Sequence, residues 1–251
     1  MKERGMIFNG EMVRAILDGR KTQTRRIMAP QPADDIERGI FPNPEVIGWK
    51  SSRRHKHGST TAHFCHYGKP GDRIWVRETW GVVSHAFSDD GLMIDWVPDR
   101  PATAIHEMPF GNGYYSGYAI YAADGDFTWG DDDGYEDGRS CWKPSIHMPR
   151  AASRILLEIT DVRVEQLNAI SPEDAESEGL ERTNFTGFGD EPGLPSYPEP
   201  DVYFDPLKKQ WKEYPPEAFA GLWESIYGEG SWQANPWVWV ISFKRVEGGA
   251  A

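Results

Sequence analysis

A short basic segment of the sequence combines the side chains that hydrolysis of an amide requires. It runs from Arg20 to Arg26 and contains Lys21 and Thr24. Such a reaction needs a nucleophile, a group that removes its proton, and donors for the oxyanion of the tetrahedral intermediate. A lysine has an ordinary pKa of about 10.4, but burial and neighbouring cations lower that pKa. Lys21 is therefore a candidate base that activates Thr24 or a water molecule.

A glutamate far along the chain is the third catalytic candidate. Glu178 lies at the C-terminal end of a predicted short helix, where the negative end of the helix dipole disfavours a carboxylate. Residues placed against local preference concentrate at functional sites. We predict that Glu178 orients a nucleobase or transfers a proton. The sequence leaves a second interpretation open, an exposed glutamate in an acidic helix that also contains Glu173, Asp174 and Glu176.

The basic segment also has a simpler interpretation. Lysine and arginine that follow a helix can serve only to complement the negative end of its dipole in solvent. Strict alternation along a strand places Lys21 and Thr24 on opposite faces, so a catalytic pair requires a turn or a bulge between them. Gly19 makes a bend in this region feasible.

Other polar residues are candidates for holding a ligand. Arg77 and Glu78 lie on a predicted strand at 73–80, so their side chains point to opposite faces. Glu78 either binds a base edge or ribose, or pairs with an arginine of the 20–26 segment and serves stability. The predicted substrate-binding residues are Arg20, Thr22, Arg26, Arg77 and Glu78.

The residues with metal-ligating side chains do not form a standard site. The possible zinc ligands lack paired Cys-x-x-Cys elements and the spacing of a zinc finger, so zinc binding stays open. The aspartates around 124–133 lack the glycine and terminal glutamate of a calcium-binding loop. We predict no metal and no cofactor. The zinc candidates are His55, His57, His63, Cys65 and His66.

The elements that must position these residues are mostly predicted strands. Apolar alternation or continuous apolar character predicts strands at 6–8, 73–80, 153–166 and 237–243. Short helices are predicted after Asn9, from Ser171 and from Pro216, and each ends at a glycine. Because the helices are few and lie between strands, we predict a mainly β fold with flanking helices, of the α+β class, around a small barrel.

Three stretches interrupt this regular pattern and are predicted to be insertions. They span about 27–69, 81–142 and 182–214. Prolines indicate irregular structure in the first and third, the third being a surface loop or flap. The second is rich in glycine, aspartate and aromatic residues and is predicted to contain some short strands. We predict a single domain, residues 1–251, that carries these insertions.

Charge and composition limit the function classes. The chain has 27 basic and 39 acidic residues and a formal net charge of −12, so any contact with nucleic acid must be local. No segment approaches the roughly 20 apolar residues of a membrane-spanning helix. The N-terminus lacks the apolar region of a secretory signal, and two cysteines are too few for a disulfide framework. We expect a cytoplasmic protein without a membrane partner, and the oligomeric state stays open.

Four motifs follow one another along the chain: Gly-x-Lys-Thr-x-Thr within 17–26, Gly-Asp and the strand at 71–78, the short helix ending in Glu-Gly at 171–179, and the closing strand at 237–243. They resemble motifs of the ASCH domain family, a branch of the PUA-like superfamily, and occur in that family's order. The longer form of the family, with an Arg-Glu-Thr-Trp segment and an Asn-Pro-Trp before the last strand, is similar to proteins often carried by phages and prophages. The resemblance covers about half of the chain, and the three insertions have no counterpart in the minimal domain.

The resemblance implies a PUA-like barrel that binds RNA or modified nucleosides. Some small bacterial members are similar in the same Lys, Thr and Glu to amidohydrolases that remove the acetyl group from N4-acetylcytidine. This implies catalytic roles for Lys21, Thr24 and Glu178. The leading hypothesis is therefore a nucleoside- or RNA-directed protein that hydrolyses the N4-acyl amide of a modified cytosine nucleoside.

Two other function classes remain open on the sequence. One is a binding module that recognises RNA or a modified base without chemistry. The other is a phage-type protein whose acidic surface engages a host protein. A ribonuclease is less favoured, because no histidine is placed to support that reaction.

Overall fold

The computed structural model of the chain describes residues 1–32, 36–43, 48–53, 60–88, 90–129, 140–183 and 202–246. Strands outnumber helices among these residues. The helices are α1 (Gly10–Leu17), α2 (Pro172–Ser177) and α3 (Pro215–Tyr227). The strands are β1 (Glu3–Ile7), β2 (Gln23–Ile27), β3 (Ile36–Asn43), β4 (Gly48–Arg53), β5 (Thr60–His63), β6 (Arg73–Arg77), β7 (Trp80–Val83), β8 (His85–Phe87), β9 (Met93–Asp95), β10 (Thr103–Phe110), β11 (Gly113–Tyr121), β12 (Leu156–Gln166), β13 (Arg182–Thr183), β14 (Val202–Asp205), β15 (Gln210–Lys212) and β16 (Trp237–Arg245).

Contacts divide the chain into two compact units, each assembled from separate stretches of sequence. The first unit comprises Met1–Leu17, Gly71–Glu158 and Lys244–Ala251. The second unit comprises Asp18–Pro70 and Ile159–Phe243. All three catalytic candidates belong to the second unit, whereas Arg77 and Glu78 belong to the first. The single domain expected from the sequence stays a prediction.

The first unit is built on strands with an apolar inner face. Parallel β1 and β6 pair from Glu3 with Arg73 to Ile7 with Arg77, and the start of β12 adds to β6 in antiparallel register. Helix α1 begins as predicted, because the Asn9 side chain accepts a hydrogen bond from the Met12 amide at 2.8 Å. A second sheet has the order β10-β11-β7. Its core cluster contains Trp80, Ile105, Met108, Ala119, Tyr121, Met148 and Ala152.

The second unit surrounds the strand that closes the chain. Strand β16 lies between β12 and β2, and it pairs with β2 in antiparallel register. Helix α2 has Ser171 as its N-cap and Pro172 at its first position, as the sequence predicts. Helix α3 ends before Gly228, also as predicted. The core cluster contains Leu167, Ile170, Ala175, Leu180, Tyr203, Ala218, Phe219, Leu222, Trp223, Val238 and Val240.

Two predicted insertions are more regular than expected. Strands β3, β4 and β5 form an antiparallel sheet in the first, and β13, β14 and β15 form one in the third. The prolines are compatible with these sheets, since Pro42 lies on the edge strand β3 and Pro206 directly follows β14. The prediction of irregular structure is therefore wrong for these strands. Residues 184–201 of the predicted flap lie outside the described residues.

The predicted mainly β composition with flanking helices is confirmed. Over the part of the chain that the structure describes, the sheets are open and none closes into a barrel. The barrel stays a prediction. Within the same residues, no helix has the length and apolar character that crossing a membrane requires.

Candidate active site

Lys21 and Glu178 form a buried ion pair although 157 residues separate them in the sequence. The Lys21 ammonium donates hydrogen bonds of 2.8 Å to Glu178 Oε2 and of 2.8 Å to the Glu178 backbone carbonyl. The backbone holds the two residues together as well, because they form an isolated antiparallel bridge. The Lys21 side chain has 0% exposure and that of Glu178 has 3%. Both charges are thus removed from bulk solvent.

The surroundings of Lys21 shift its protonation equilibrium toward the amine. Burial lowers the pKa of Lys21 from its ordinary value of 10.5. The Glu178 carboxylate opposes this shift, while Arg26 and Arg25 add to it because like charges disfavour the ammonium. A lysine with a lowered pKa can accept a proton from water or from a hydroxyl group. The shift is therefore in the direction that a general base requires.

Helix α2 ends at the site. Glu178 follows the last helical residue and serves as the C-cap, and Gly179 has a positive φ of 89°. Glycine adopts that conformation without a steric penalty, so the helix stops there and the chain turns. The Thr22 amide donates to the Ser177 carbonyl at 2.9 Å and holds the helix end against the segment before β2.

Arg25 extends the ion pair into a larger network, although it was not among the predicted site residues. The Arg25 side chain has 0% exposure. Its guanidinium contacts Glu178 Oε1 at 3.1 Å, Asp174 Oδ2 at 2.9 Å and Glu165 Oε2 at 3.1 Å. The two oxygens of Glu178 are therefore held by different cations, Lys21 on Oε2 and Arg25 on Oε1. This fixes the orientation of the carboxylate.

Arg163 forms the half-exposed end of the network. It donates to Asp174, to Glu165 and, at 3.1 Å, to Gln23 Oε1. Burial alone would raise the pKa of Asp174, but the hydrogen bonds and charges of Arg163 and Arg25 outweigh that effect and lower it. Asp174 is thus held as a carboxylate that anchors Arg25.

Strand alternation supplies the signal that could have revealed this network. Lys21, Gln23 and Arg25 lie two residues apart, as do Arg163 and Glu165 on β12, so each set shares a face. Asp174 and Glu178 lie four residues apart, which brings side chains together on a helix. We refer to these residues as the Lys21 cluster. Its members are Lys21, Gln23, Arg25, Arg163, Glu165, Asp174 and Glu178.

Thr24 lies apart from the cluster. It is buried at 1% exposure and pairs with Ile241, whereas the adjacent Arg25 pairs with Val240 of the core cluster. The register of β2 with β16 contains no bulge, so Thr24 faces away from Arg25. Among the described residues, no hydrogen bond joins Thr24 to Lys21 or Glu178. The bend that a Lys21–Thr24 pair requires is not present in β2, and this geometry favours water over Thr24 as the group that Lys21 activates.

The other predicted ligand residues of the second unit surround the end of α2. Arg20 donates to the carbonyls of Gly179 at 3.0 Å and Leu180 at 3.2 Å. Thr22 is exposed, and Arg26 is half-buried and close enough to lower the pKa of Lys21. These three residues therefore lie near the Lys21 cluster, and their role in binding a ligand stays a prediction.

Arg77 and Glu78 make contacts within the first unit. Arg77 donates to the carbonyls of Ser145 and Ile146. Glu78 is buried at 1% exposure and accepts two hydrogen bonds of 3.0 Å from Arg154. Burial raises the pKa of Glu78, although Arg154 opposes the shift. Pairing with an arginine was one of the two roles considered for Glu78. Its partner is Arg154, however, and not an arginine of the 20–26 segment.

The Arg154→Met variant tests whether this pair serves stability. Arg154 also donates to Asp124 at 2.7 Å, so its loss leaves two carboxylates without their cation. We expect the free energy of unfolding to fall by about 2–4 kcal/mol near neutral pH. Protonation of Glu78 relieves part of the cost, because its pKa is raised in the folded state. The loss should therefore shrink as the pH falls to about 5.

Urea unfolding at the two pH values measures this effect. Arg150→Met is the matched control, since Arg150 is 39% exposed and pairs with Glu3 at the surface. The control should change stability by about 0.5 kcal/mol or less. Equal losses for both variants would contradict a stabilising role of the buried pair.

The histidine and cysteine candidates lie only in part within the described residues. His55 and His57 lie outside the described residues. Among the residues that are described, no group of three or more His, Cys, Asp or Glu side chains could hold a metal ion. His63 is buried, and burial lowers its pKa. Zinc binding by this segment stays untested.

Comparisons of the chain with family models, with curated proteins and with solved structures gave no match. The chemistry of the site therefore rests on its geometry and on the sequence motifs. That geometry provides a buried lysine with a lowered pKa, a carboxylate that accepts a hydrogen bond from it, and an arginine that orients the carboxylate. Together these groups can move a proton to and from a bound reactant.

Proposed function

We propose that this protein is a nucleoside- or RNA-directed protein of the ASCH type that hydrolyses the N4-acyl amide of a modified cytosine nucleoside. The observation that carries the proposal is the buried Lys21–Glu178 pair, in which burial lowers the pKa of Lys21. Both residues come from motifs that resemble the family. The proposal also includes a PUA-like arrangement of the core strands and a cytoplasmic location.

The reaction follows from the roles that the site allows. The neutral Lys21 amine takes a proton from water, and the resulting hydroxide attacks the acyl carbon. The C–N bond of the tetrahedral intermediate then breaks, and the Lys21 ammonium returns its proton to the departing exocyclic nitrogen. The products are a carboxylic acid and the free amino group of cytosine. Glu178 stabilises the ammonium between the two steps.

Access to the site requires a local rearrangement. The Lys21 side chain has 0% exposure, so no substrate can contact it in this conformation. Substrate binding must therefore displace part of the surrounding structure. Charged groups in a site closed to water interact more strongly than in solvent, which suits proton transfer once the substrate is bound.

The Glu178→Gln variant tests the proposal. Glutamine keeps the size of the side chain and an oxygen that accepts from Lys21, but it removes the negative charge that stabilises the ammonium. We expect kcat for N4-acetylcytidine to fall by about 10²- to 10⁴-fold. Release of cytidine is measured by chromatography for the wild type and the variant. Glu173→Gln is the matched control, because Glu173 is an exposed residue of the same helix.

Three outcomes distinguish the function classes. Loss of turnover in Glu178→Gln, with normal turnover in the control, supports hydrolysis at this site. No turnover of any N4-acylated cytosine nucleoside by folded wild type would reject it. Binding of these nucleosides without turnover would replace hydrolysis by recognition alone.

A further inference from the structure

A cavity of about 460 Å³ lies in the second unit, apart from the Lys21 cluster. The hairpin of β14 and β15, one face of α3 and the turn after α3 form its walls. None of the residues in the Lys21 cluster lines it. Cavities of this size accommodate small-molecule ligands. The residues that characterise its chemistry are Asp205, Tyr214, Glu217, Glu224 and Trp232.

Asp205 is the buried charge of this cavity. It is 2% exposed, and its Oδ1 accepts hydrogen bonds from the amides of Leu207 at 2.9 Å and Lys208 at 3.1 Å. Among the described residues, Oδ2 accepts no hydrogen bond and no cation pairs with the carboxylate. Asp205 lines the cavity. A carboxylate that is so poorly solvated raises the free energy of the folded state unless a cation pairs with it.

Helix α3 places two more carboxylates beside Asp205. A Cβ atom at Gly221 would lie 1.9 Å from Asp205 Oδ1, so the carboxylate packs directly against the helix at this glycine. Glu217 is four residues before Gly221 and Glu224 is three residues after it, which puts all three positions on one helix face. With a rise of 1.5 Å per residue, they span about 10 Å along the axis. The carboxylates therefore form a row along one wall.

Aromatic residues and two lysines complete the lining. Trp232 is half-buried and packs against Phe219 with a centroid distance of 6.0 Å. Aromatic faces attract ammonium groups, and this attraction adds to that of carboxylates. Lys208 and Lys212 also line the cavity but form no ion pair with Asp205 among the described residues. Their side chains are more exposed than Asp205, so water solvates their charges better.

We propose that this cavity binds an aliphatic di- or polyamine. One primary ammonium donates to Asp205 Oδ2, and a second amine lies along the row toward Glu217 or Glu224. A linear amine suits the wall, because its charges are separated by methylene groups that can contact the aromatic side chains. This binding is independent of the proposed amide hydrolysis.

Isothermal titration of the full chain with spermidine tests the proposal. Asp205→Asn is the main variant, since asparagine keeps the Oδ1 acceptor of the turn and removes the charge. We expect the affinity for spermidine to fall at least about tenfold. Glu217→Gln should weaken binding about threefold. Glu229→Gln is the matched control, because Glu229 is exposed and does not line the cavity; its affinity should equal that of the wild type.

Two results would overturn the proposal. One is the absence of spermidine binding to the wild type at millimolar concentration. The other is equal binding by the wild type, Asp205→Asn and Glu217→Gln with equal competition from Mg²⁺, which would show only diffuse attraction to an acidic chain. If Asp205→Asn does not fold, the Glu217→Gln/Glu224→Gln double variant decides. Glutamine at 224 keeps the oxygen that accepts from the Gly230 amide, and unchanged affinity in that variant would also reject the site.

Discussion

Lys21→Arg is expected to lower kcat/KM for N4-acetylcytidine by about 10²- to 10⁴-fold while the protein remains folded. Arginine keeps the positive charge that pairs with Glu178, but its guanidinium does not deprotonate in a protein. The variant therefore retains the ion pair and loses the base. Steady-state hydrolysis measures the first effect, and circular dichroism with thermal unfolding checks the second.

The pH dependence of kcat/KM in the wild type tests the role of Lys21 without a substitution. Lys21 is inactive as a base when protonated, so kcat/KM should fall as the pH drops through its pKa in the folded protein. Burial lowers that pKa, so this limb lies on the acid side of 10.5. Absence of this limb in the wild type would contradict the role of Lys21 as the base.

Two further variants provide a second test of Lys21 and a control. Lys21→Met removes the charge as well as the base, and it addresses the case in which the larger arginine does not fit the buried position. Lys244→Arg is the matched control, because Lys244 is 63% exposed and pairs with Glu158 at the surface. Full turnover by a folded Lys21→Arg or Lys21→Met protein would exclude Lys21 as the base.

Arg25→Met is expected to destabilise the protein by about 3–5 kcal/mol. The Arg25 guanidinium has 0% exposure and contacts three carboxylates, of which Glu178 is 3% exposed. Its removal leaves Glu178 with Lys21 alone and leaves Asp174 and Glu165 with Arg163 alone. A buried carboxylate that loses its partner costs more than the original pair contributed.

Urea unfolding at neutral pH measures this loss as a change in midpoint at constant slope. Arg163→Met is the matched control in the same network. The Arg163 side chain is 33% exposed, so water can solvate its carboxylate partners after the substitution. We expect about 1 kcal/mol or less for the control. A loss for Arg25→Met no larger than the control's would show that the network contributes little to stability.

Local patterns predicted the elements around the site well. The N-cap at Ser171, the proline after it and the end of the helix at Gly179 depend only on hydrogen bonds and backbone angles within a few residues. The strands β6, β12 and β16 were likewise predicted from apolar alternation or continuous apolar character within each segment. Such signals do not depend on what packs against them, so they can be recognised without the fold.

The regular structure of the insertions was not predictable in the same way. Prolines argued against strands in 27–69 and 182–214. Whether a proline disrupts a strand depends on whether its missing amide faces a partner, and that depends on the strand being at an edge. Strand order in a sheet is a tertiary property. The residues around Pro42 therefore form a strand despite the local signal.

A short acidic helix that ends at Glu178 and a strand at 237–243 were predictable from the sequence alone. The tertiary structure was needed to show that Lys21 and Glu178 meet, that Arg25 orients Glu178, and that Thr24 faces the other side of β2. The physical reason is the sequence separation of the residues that interact. Helix caps and strand periods arise from neighbours in the chain, whereas burial, desolvation and the partner of a charge arise from residues as far as 157 positions away.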